Sequence, residues 1–124
     1  MIEGIAVTAS EQIYPGYPET MYIHFTQEEL DSQQASIVDN AQAFLNMMRE
    51  GYLPYQYEKW FTGAYEGIPK RGGYLLGYEV TQRVLASSTL EQLARMTPAQ
   101  LGQEAEAQLS AIVTSGLVLM AGNQ

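Results

Sequence analysis

The chain has 124 residues, the usual length of one domain, and 46% of them are hydrophobic while 16% are charged. This composition excludes a wholly disordered chain, a collagen and a coiled coil. The formal net charge of −8 makes nucleic acid and anionic membranes poor partners, because both are negatively charged. The lack of cysteine excludes disulfide scaffolds, zinc fingers and thiol catalysis, and the single histidine excludes a metal site with two imidazole ligands from this chain.

Targeting signals are not recognisable in the sequence. The longest apolar stretch is interrupted by polar residues and is shorter than the ~20 residues that a membrane-spanning helix needs. No basic segment resembles the start of a signal peptide, and Glu3 lies where such a segment carries positive charge. We therefore expect a soluble protein, cytoplasmic rather than secreted.

The first fourteen residues predict an amphipathic helix. Its apolar side chains recur at the spacing of one helix face: Ile2, Ile5, Ala6 and Ala9. No Ser, Thr, Asp or Asn precedes this face to accept hydrogen bonds from the first free N–H groups. We therefore expect this helix to come from a longer polypeptide that has been truncated before it.

A loop and then a long helix are predicted next. Residues 15–25 contain two prolines and a glycine, which favour an irregular connector. Thr26 and Glu29 have the spacing of a capping box, and an apolar stripe of 3.6-residue period follows them. Gly51 is typical of a residue that follows a helix end. This pattern predicts one helix over residues 26–50.

The second half of the chain predicts a connector and three more helices. Residues 51–71 are aromatic and rich in Gly and Pro, which predicts either a packed loop or a short helix around Tyr55–Thr62. Helices are predicted over 73–87, in a short segment capped by Thr89, and over 97–112. We therefore expect a single all-α domain over residues 1–124, an irregular bundle of about four to five helices.

A candidate site is formed by two tyrosines of the helix over 73–87 and an arginine just before it. Tyr74 and Tyr78 are four residues apart and share a helix face, and Arg71 lies one turn before Tyr74. Such a stripe can aim hydrogen-bond donors at a carbonyl or an oxyanion. The alternative, which the spacing alone favours, is a close helix contact at Gly77 with the tyrosines at the edge of the core.

Two segments, in this order, carry a resemblance to a known family. EGIA occupies residues 3–6, and IPKRGGYLLGYEVTQRVL covers residues 68–85, after a Trp-Phe-Thr-Gly stretch. With the leucine-containing LEQLARMTPAQL that follows, they resemble the C-terminal half of a bacterial family of predicted zinc-dependent proteases. That family has a gluzincin-like plan and is a domain of unknown function. Its Gly-Tyr-x-x-Gly-Tyr pattern corresponds to Gly73, Tyr74, Gly77 and Tyr78.

The resemblance implies specific roles. In such proteins two histidines of an HExxH motif hold zinc, its glutamate activates water, and the glutamate of an EGLA-type helix is the third ligand. That third role would fall on Glu3. Arg71, Tyr74 and Tyr78 would contact a peptide or protein substrate, or the oxyanion. Zinc would be the cofactor of the complete protein.

The chain departs from the family pattern because it has no HExxH motif. We therefore expect it to bind no zinc and to hydrolyse no peptide alone, as either a truncated or a degenerate relative.

A second hypothesis is a non-enzymatic, acidic all-α interaction module with 9 tyrosines, and a homo-oligomer is compatible with it. A third is a free-standing enzyme that uses His24 as a base, although the flanking apolar residues favour a partly buried imidazole bonded to the backbone.

Overall fold

The protein is all-α, as the sequence predicts. The computed structural model describes residues 1–51, 54–63, 65 and 68–122. Within these ranges the chain forms eight α-helices and a 3₁₀ turn, and Tyr65 and Ile68 form an isolated bridge. The helices are α1 (Ile2–Ile13), α2 (Glu19–Ile23), α3 (Gln27–Ala35), α4 (Ile37–Arg49), α5 (Pro54–Glu58), α6 (Gly72–Val84), α7 (Leu90–Ala94) and α8 (Pro98–Gly122), and the 3₁₀ turn is Lys59–Phe61.

The helices exceed the expected four to five because the connector contributes the short helix α5 and because two other segments differ from the prediction. The helix predicted over residues 26–50 is wrong as one element, because it breaks at Ser36, whose backbone N–H bonds to Gln33. The loop predicted over residues 15–25 contains α2, since Pro18 stands at the N-cap, where proline does not interrupt a helix. Ile23, which is 1% exposed, anchors this short helix in the core.

The connector helix and the start of α6 lie within two residues of their predicted positions, whereas the end of α8 does not. The connector forms α5 and the 3₁₀ turn at the expected place, while its Tyr52 lies outside the described residues. The α6 helix begins at Gly72, and α8 continues ten residues beyond the predicted end at residue 112. No helix in the described ranges is both long and apolar enough to cross a membrane.

Capping boxes fix the start of three helices. Thr26 Oγ1 accepts a hydrogen bond from the Glu29 N–H at 3.1 Å, and Glu29 Oε1 accepts one from the Thr26 N–H at 3.0 Å. Thr89 and Gln92 exchange the same pair of bonds at the start of α7. Thr97 and Gln100 do so at the start of α8. Each box satisfies two N–H groups that lack partners within the helix.

The α6 helix is the centre of the structure, because it contributes to both hydrophobic clusters. One cluster joins α4, α6, α7 and α8 with the 3₁₀ turn; its buried members are Ala41, Leu45, Trp60, Leu76, Val80, Val84, Leu93, Leu109 and Ile112. The other joins α1, α2, α3 and α6; its buried members are Val7, Ile23, Phe25, Leu30, Leu75 and Tyr78. The two faces of α6 therefore hold the halves of the bundle together.

Helices α1 and α6 approach until their backbones touch. A Cβ atom at Gly4 would stand 2.1 Å from the carbonyl oxygen of Gly77, which leaves no room for any side chain. Thr8 and Thr81 lie one turn beyond these glycines, and both are buried. Each threonine hydroxyl donates to the glycine carbonyl four residues earlier, at 2.9 and 2.7 Å. The contact at Gly77 that spacing favoured is confirmed.

We expect Gly4→Ala to destabilise the protein. The added methyl meets backbone atoms rather than the end of a flexible side chain, so α1 and α6 must separate. The expected loss in the free energy of unfolding is about 2 kcal/mol, measured by urea denaturation followed by circular dichroism.

Gly102→Ala is the matched control for this substitution. Gly102 lies inside α8, and a Cβ there would have no atom within 4 Å. The gain in helix propensity should raise the free energy of unfolding by about 0.8–1 kcal/mol. Equal effects of the two substitutions would contradict the packing role of Gly4.

Candidate functional site

Arg71 lies at the N-terminus of α6 and is held in an unusual backbone conformation. Its φ is 54°, in the left-handed region that few non-glycine residues adopt. Its guanidinium Cζ lies 4.4 Å from the ring centroid of Tyr74 and 5.5 Å from that of Phe25. One guanidinium nitrogen donates to the backbone carbonyl of His24 at 2.8 Å. Stacking and hydrogen bonding at this side chain compensate for the backbone strain.

The backbone of His24, rather than its ring, takes part in this arrangement. His24 is the C-cap of α2, has a φ of 62° and is exposed to solvent. The expectation of a partly buried imidazole bonded to the backbone is therefore wrong. No hydrogen bond to the imidazole is present in the described part of the chain, and the contact to Arg71 uses the main chain.

Tyr78 is buried, whereas Tyr74 is half-buried. Tyr78 is 4% exposed and packs with Val7, Leu75 and Phe25. Burial, followed by the neighbouring carboxylate of Glu11, raises the pKa of Tyr78 well above its usual value. Its phenol therefore stays protonated through the physiological range. The structure brings Arg71 and Tyr74 together and places the Tyr78 hydroxyl toward Glu11 instead.

A group of acidic side chains surrounds this hydroxyl. Glu11 on α1, Glu19 on α2 and Glu79 on α6 all act electrostatically on Tyr78. Burial and the charge of Glu19 raise the pKa of Glu79, and Arg83 opposes this effect. Oε1 of Glu11 is buried without a hydrogen-bond partner in the described structure. Sequence reasoning missed this group because its members lie on three elements and form no motif.

Glu3 lies half-buried in the first turn of α1, immediately before Gly4. Its carboxylate forms no hydrogen bond or ion pair to any residue within the described ranges. The described residues also contain no group of three His, Asp or Glu side chains that could hold a metal ion. Glu3 is therefore not part of such a three-residue group within the described ranges.

An apolar cleft opens beside the start of α1. A cavity of about 270 Å³ lies between α4, α5 and α8, lined mainly by Met1, Phe44, Met48, Tyr57, Leu101 and Ala105. A smaller cavity adjoins it through shared lining residues and reaches Gly73 and Gly77 of α6. The cleft therefore connects Met1, two residues before Glu3, with the glycine-rich face of α6, although Glu3 itself lines neither cavity.

Comparison of the chain with protein-family models, curated proteins and solved structures finds no match. The roles of Glu3, Arg71, Tyr74 and Tyr78 that the resemblance implies stay predictions.

We expect Glu79→Gln to change how stability depends on pH. Because the pKa of Glu79 is raised in the folded protein, folding favours the protonated carboxyl. The contribution of Glu79 to stability should therefore be fully present below the ordinary glutamate pKa and be lost as pH rises through the folded-state value. Glu79→Gln should be more stable than the parent at pH 7, by less than about 1 kcal/mol because the half-exposed charge is screened. The difference should vanish near pH 4.

Urea denaturation at several pH values between 4 and 8 measures this effect. Glu58→Gln, at an exposed position on α5, makes the same change in net charge and is the control. A Glu79→Gln protein that is less stable than the parent at pH 7 would show that the attraction to Arg83 exceeds the other two effects.

Proposed function

We propose that this chain is the C-terminal helical part of a zinc-dependent peptidase and contributes one zinc ligand, Glu3. The supporting observation is the contact between Gly4 and Gly77. Gly4 belongs to the EGIA segment and Gly77 to the Gly-Tyr-x-x-Gly-Tyr segment, the two motifs on which the family resemblance depends. About 70 residues separate these motifs in the sequence, yet their helices form the most extensive pair in the described structure.

The environment of Glu3 supports a ligand role. Its carboxylate is half-buried and has no hydrogen-bond or ion-pair partner within the described ranges, and the cation that acts on it electrostatically is the N-terminal ammonium of Met1. Oxygen of glutamate is an ordinary zinc ligand in catalytic sites, together with two histidines and a water. Zinc, when bound in the complete protein, would supply a Lewis acid and an activated water. The two histidines would have to come from a segment with an HExxH motif.

The apolar cleft supports the proposal that a segment with an HExxH motif packs against this chain. Met1 and Phe44 line both adjoining cavities, next to the turn that carries Glu3. A helix with an HExxH motif needs an apolar face to pack on while its histidines point toward the metal. The cleft offers such a face within one helical turn of Glu3. Arg71 and Tyr74, at the N-terminus of α6, would position a substrate backbone by donating hydrogen bonds.

We expect zinc to leave the thermal stability of this chain unchanged. One carboxylate binds zinc weakly, so about a tenfold molar excess should not raise the melting temperature measured by differential scanning fluorimetry. A rise that disappears in Glu3→Gln would show a site completed by this chain alone and would contradict the proposal.

The positive test uses a polypeptide that joins this chain to the sequence encoded in frame upstream of Met1. That sequence is expected to contain HExxH, and the longer protein to bind one zinc and to cleave casein. Glu3→Gln should abolish both properties, while Glu58→Gln should preserve them. An upstream sequence without HExxH, or zinc binding that is indifferent to Glu3, would refute the assignment.

An interaction module without catalytic activity is the second candidate function. Four large apolar side chains at the junction of α1 and α2 are more than half exposed: Ile13, Tyr14, Tyr17 and Met21. Clustered exposure of this kind is typical of surfaces that bind other proteins. If the surface paired two copies of the chain, the mass measured by light scattering would rise with protein concentration.

A further inference from the structure

We propose that the junction of α1 and α2 docks a basic, amphipathic segment of another protein. We call this region the α1–α2 surface; it consists of Ile13, Tyr14, Tyr17, Glu19 and Met21. The proposal goes beyond the proposed peptidase function and does not depend on it, since none of these residues belongs to the EGIA or Gly-Tyr-x-x-Gly-Tyr segments.

The apolar part of the α1–α2 surface is exposed far beyond what folding requires. Its Ile and Met are 68% and 55% exposed, and its two tyrosines are 70% and 57% exposed. Among the residues whose burial the structure describes, six large hydrophobic ones are at least 46% exposed, and these four of them fall between positions 13 and 21. Covering this apolar area in a complex removes it from water, which favours association.

Hydrogen bonds hold this surface in place. The hydroxyl of Tyr22 donates to the backbone carbonyl of Tyr14 and accepts from the backbone N–H of Tyr17 at 3.3 Å. The rings of Tyr17 and Tyr22 meet edge to face at 6.3 Å between centroids. The buried side chain of Ile23 fixes α2 to the core. A surface held in this way loses little conformational entropy on binding, which favours affinity.

The charge beside the apolar residues determines the kind of partner. Glu19 is exposed, while Glu11 and Glu79 are half-buried behind it, and none of the three forms an ion pair within the described structure. The charge of Glu19 helps to raise the pKa of Glu79, and Arg83 is the cation that counteracts it. A lysine or arginine of a partner would be attracted to this group.

The same charge argues against other occupants. A second copy of the chain would bring another net charge of −8 to the interface. Anionic lipid and nucleic acid would be repelled for the same reason. A protein segment that presents apolar side chains on one face and lysines at its edge complements both features of the α1–α2 surface.

The test uses a fluorescent helical peptide of leucine and lysine, with a leucine and glutamate peptide of the same apolar pattern as control. Fluorescence anisotropy should show binding of the lysine peptide alone. Ile13→Ser with Met21→Ser should raise the dissociation constant at least about tenfold, because apolar contact is lost. Glu19→Gln should weaken binding and reduce its dependence on salt.

Matched variants separate the α1–α2 surface from general effects. Tyr55→Ser with Tyr65→Ser removes two exposed tyrosines elsewhere, and Glu58→Gln removes an equal charge; both should change the dissociation constant less than about twofold. Circular dichroism melting checks that each variant is folded, and both α1–α2 substitutions are at exposed positions.

Three results would overturn the proposal. The first is equal binding of the lysine and glutamate peptides. The second is equal loss of binding in the α1–α2 and control variants, which would indicate attraction to net charge alone. The third is a dimer in light scattering that Ile13→Ser dissociates, which would assign the surface to a second copy. None of these results bears on zinc binding, so the peptidase proposal is tested separately.

Discussion

The backbone contact between α1 and α6 is the constraint on which the rest of the structure depends. Both helices carry the same short pattern, glycine followed four residues later by threonine, at Gly4–Thr8 and Gly77–Thr81. The glycines allow the close approach, and each threonine satisfies its hydroxyl on its own helix. The amide of Gln82 then donates to Thr8 Oγ1 across the interface at 3.2 Å. This contact sets where Glu3, Glu11 and Tyr78 lie relative to one another.

Much of the fold could be predicted from short-range patterns. Capping boxes at Thr26, Thr89 and Thr97 depend on residues three apart, so the sequence displays them directly. The break at Ser36 could not be predicted, because the apolar stripe continues across it and serine has no strong preference against a helix. The α2 helix was missed because prolines before a helix and prolines within a loop look alike in sequence.

The candidate site was predictable only in part. The spacing of Tyr74 and Tyr78 favoured a close contact at Gly77, yet it could not show that Tyr78 turns inward while Tyr74 stacks on Arg71. The carbonyl of His24 and the ring of Phe25, both far from Arg71 in sequence, fix that arginine. Acidic residues on α1, α2 and α6 likewise meet only through the tertiary fold. Long-range pairs of this kind leave no periodic signal along the chain.

The pairing of α1 with α6 also has a consequence for how the chain folds. In the sequence, α1 and α6 are separated by α2 to α5. Closing the loop between them costs conformational entropy that grows with the logarithm of its length. The contacts of α6 with α8 span a shorter segment, since only α7 lies between those two helices. A transition state built on that pair would leave α1 undocked until late, and the slow arrival of this first helix would then limit the rate of reaching the native state.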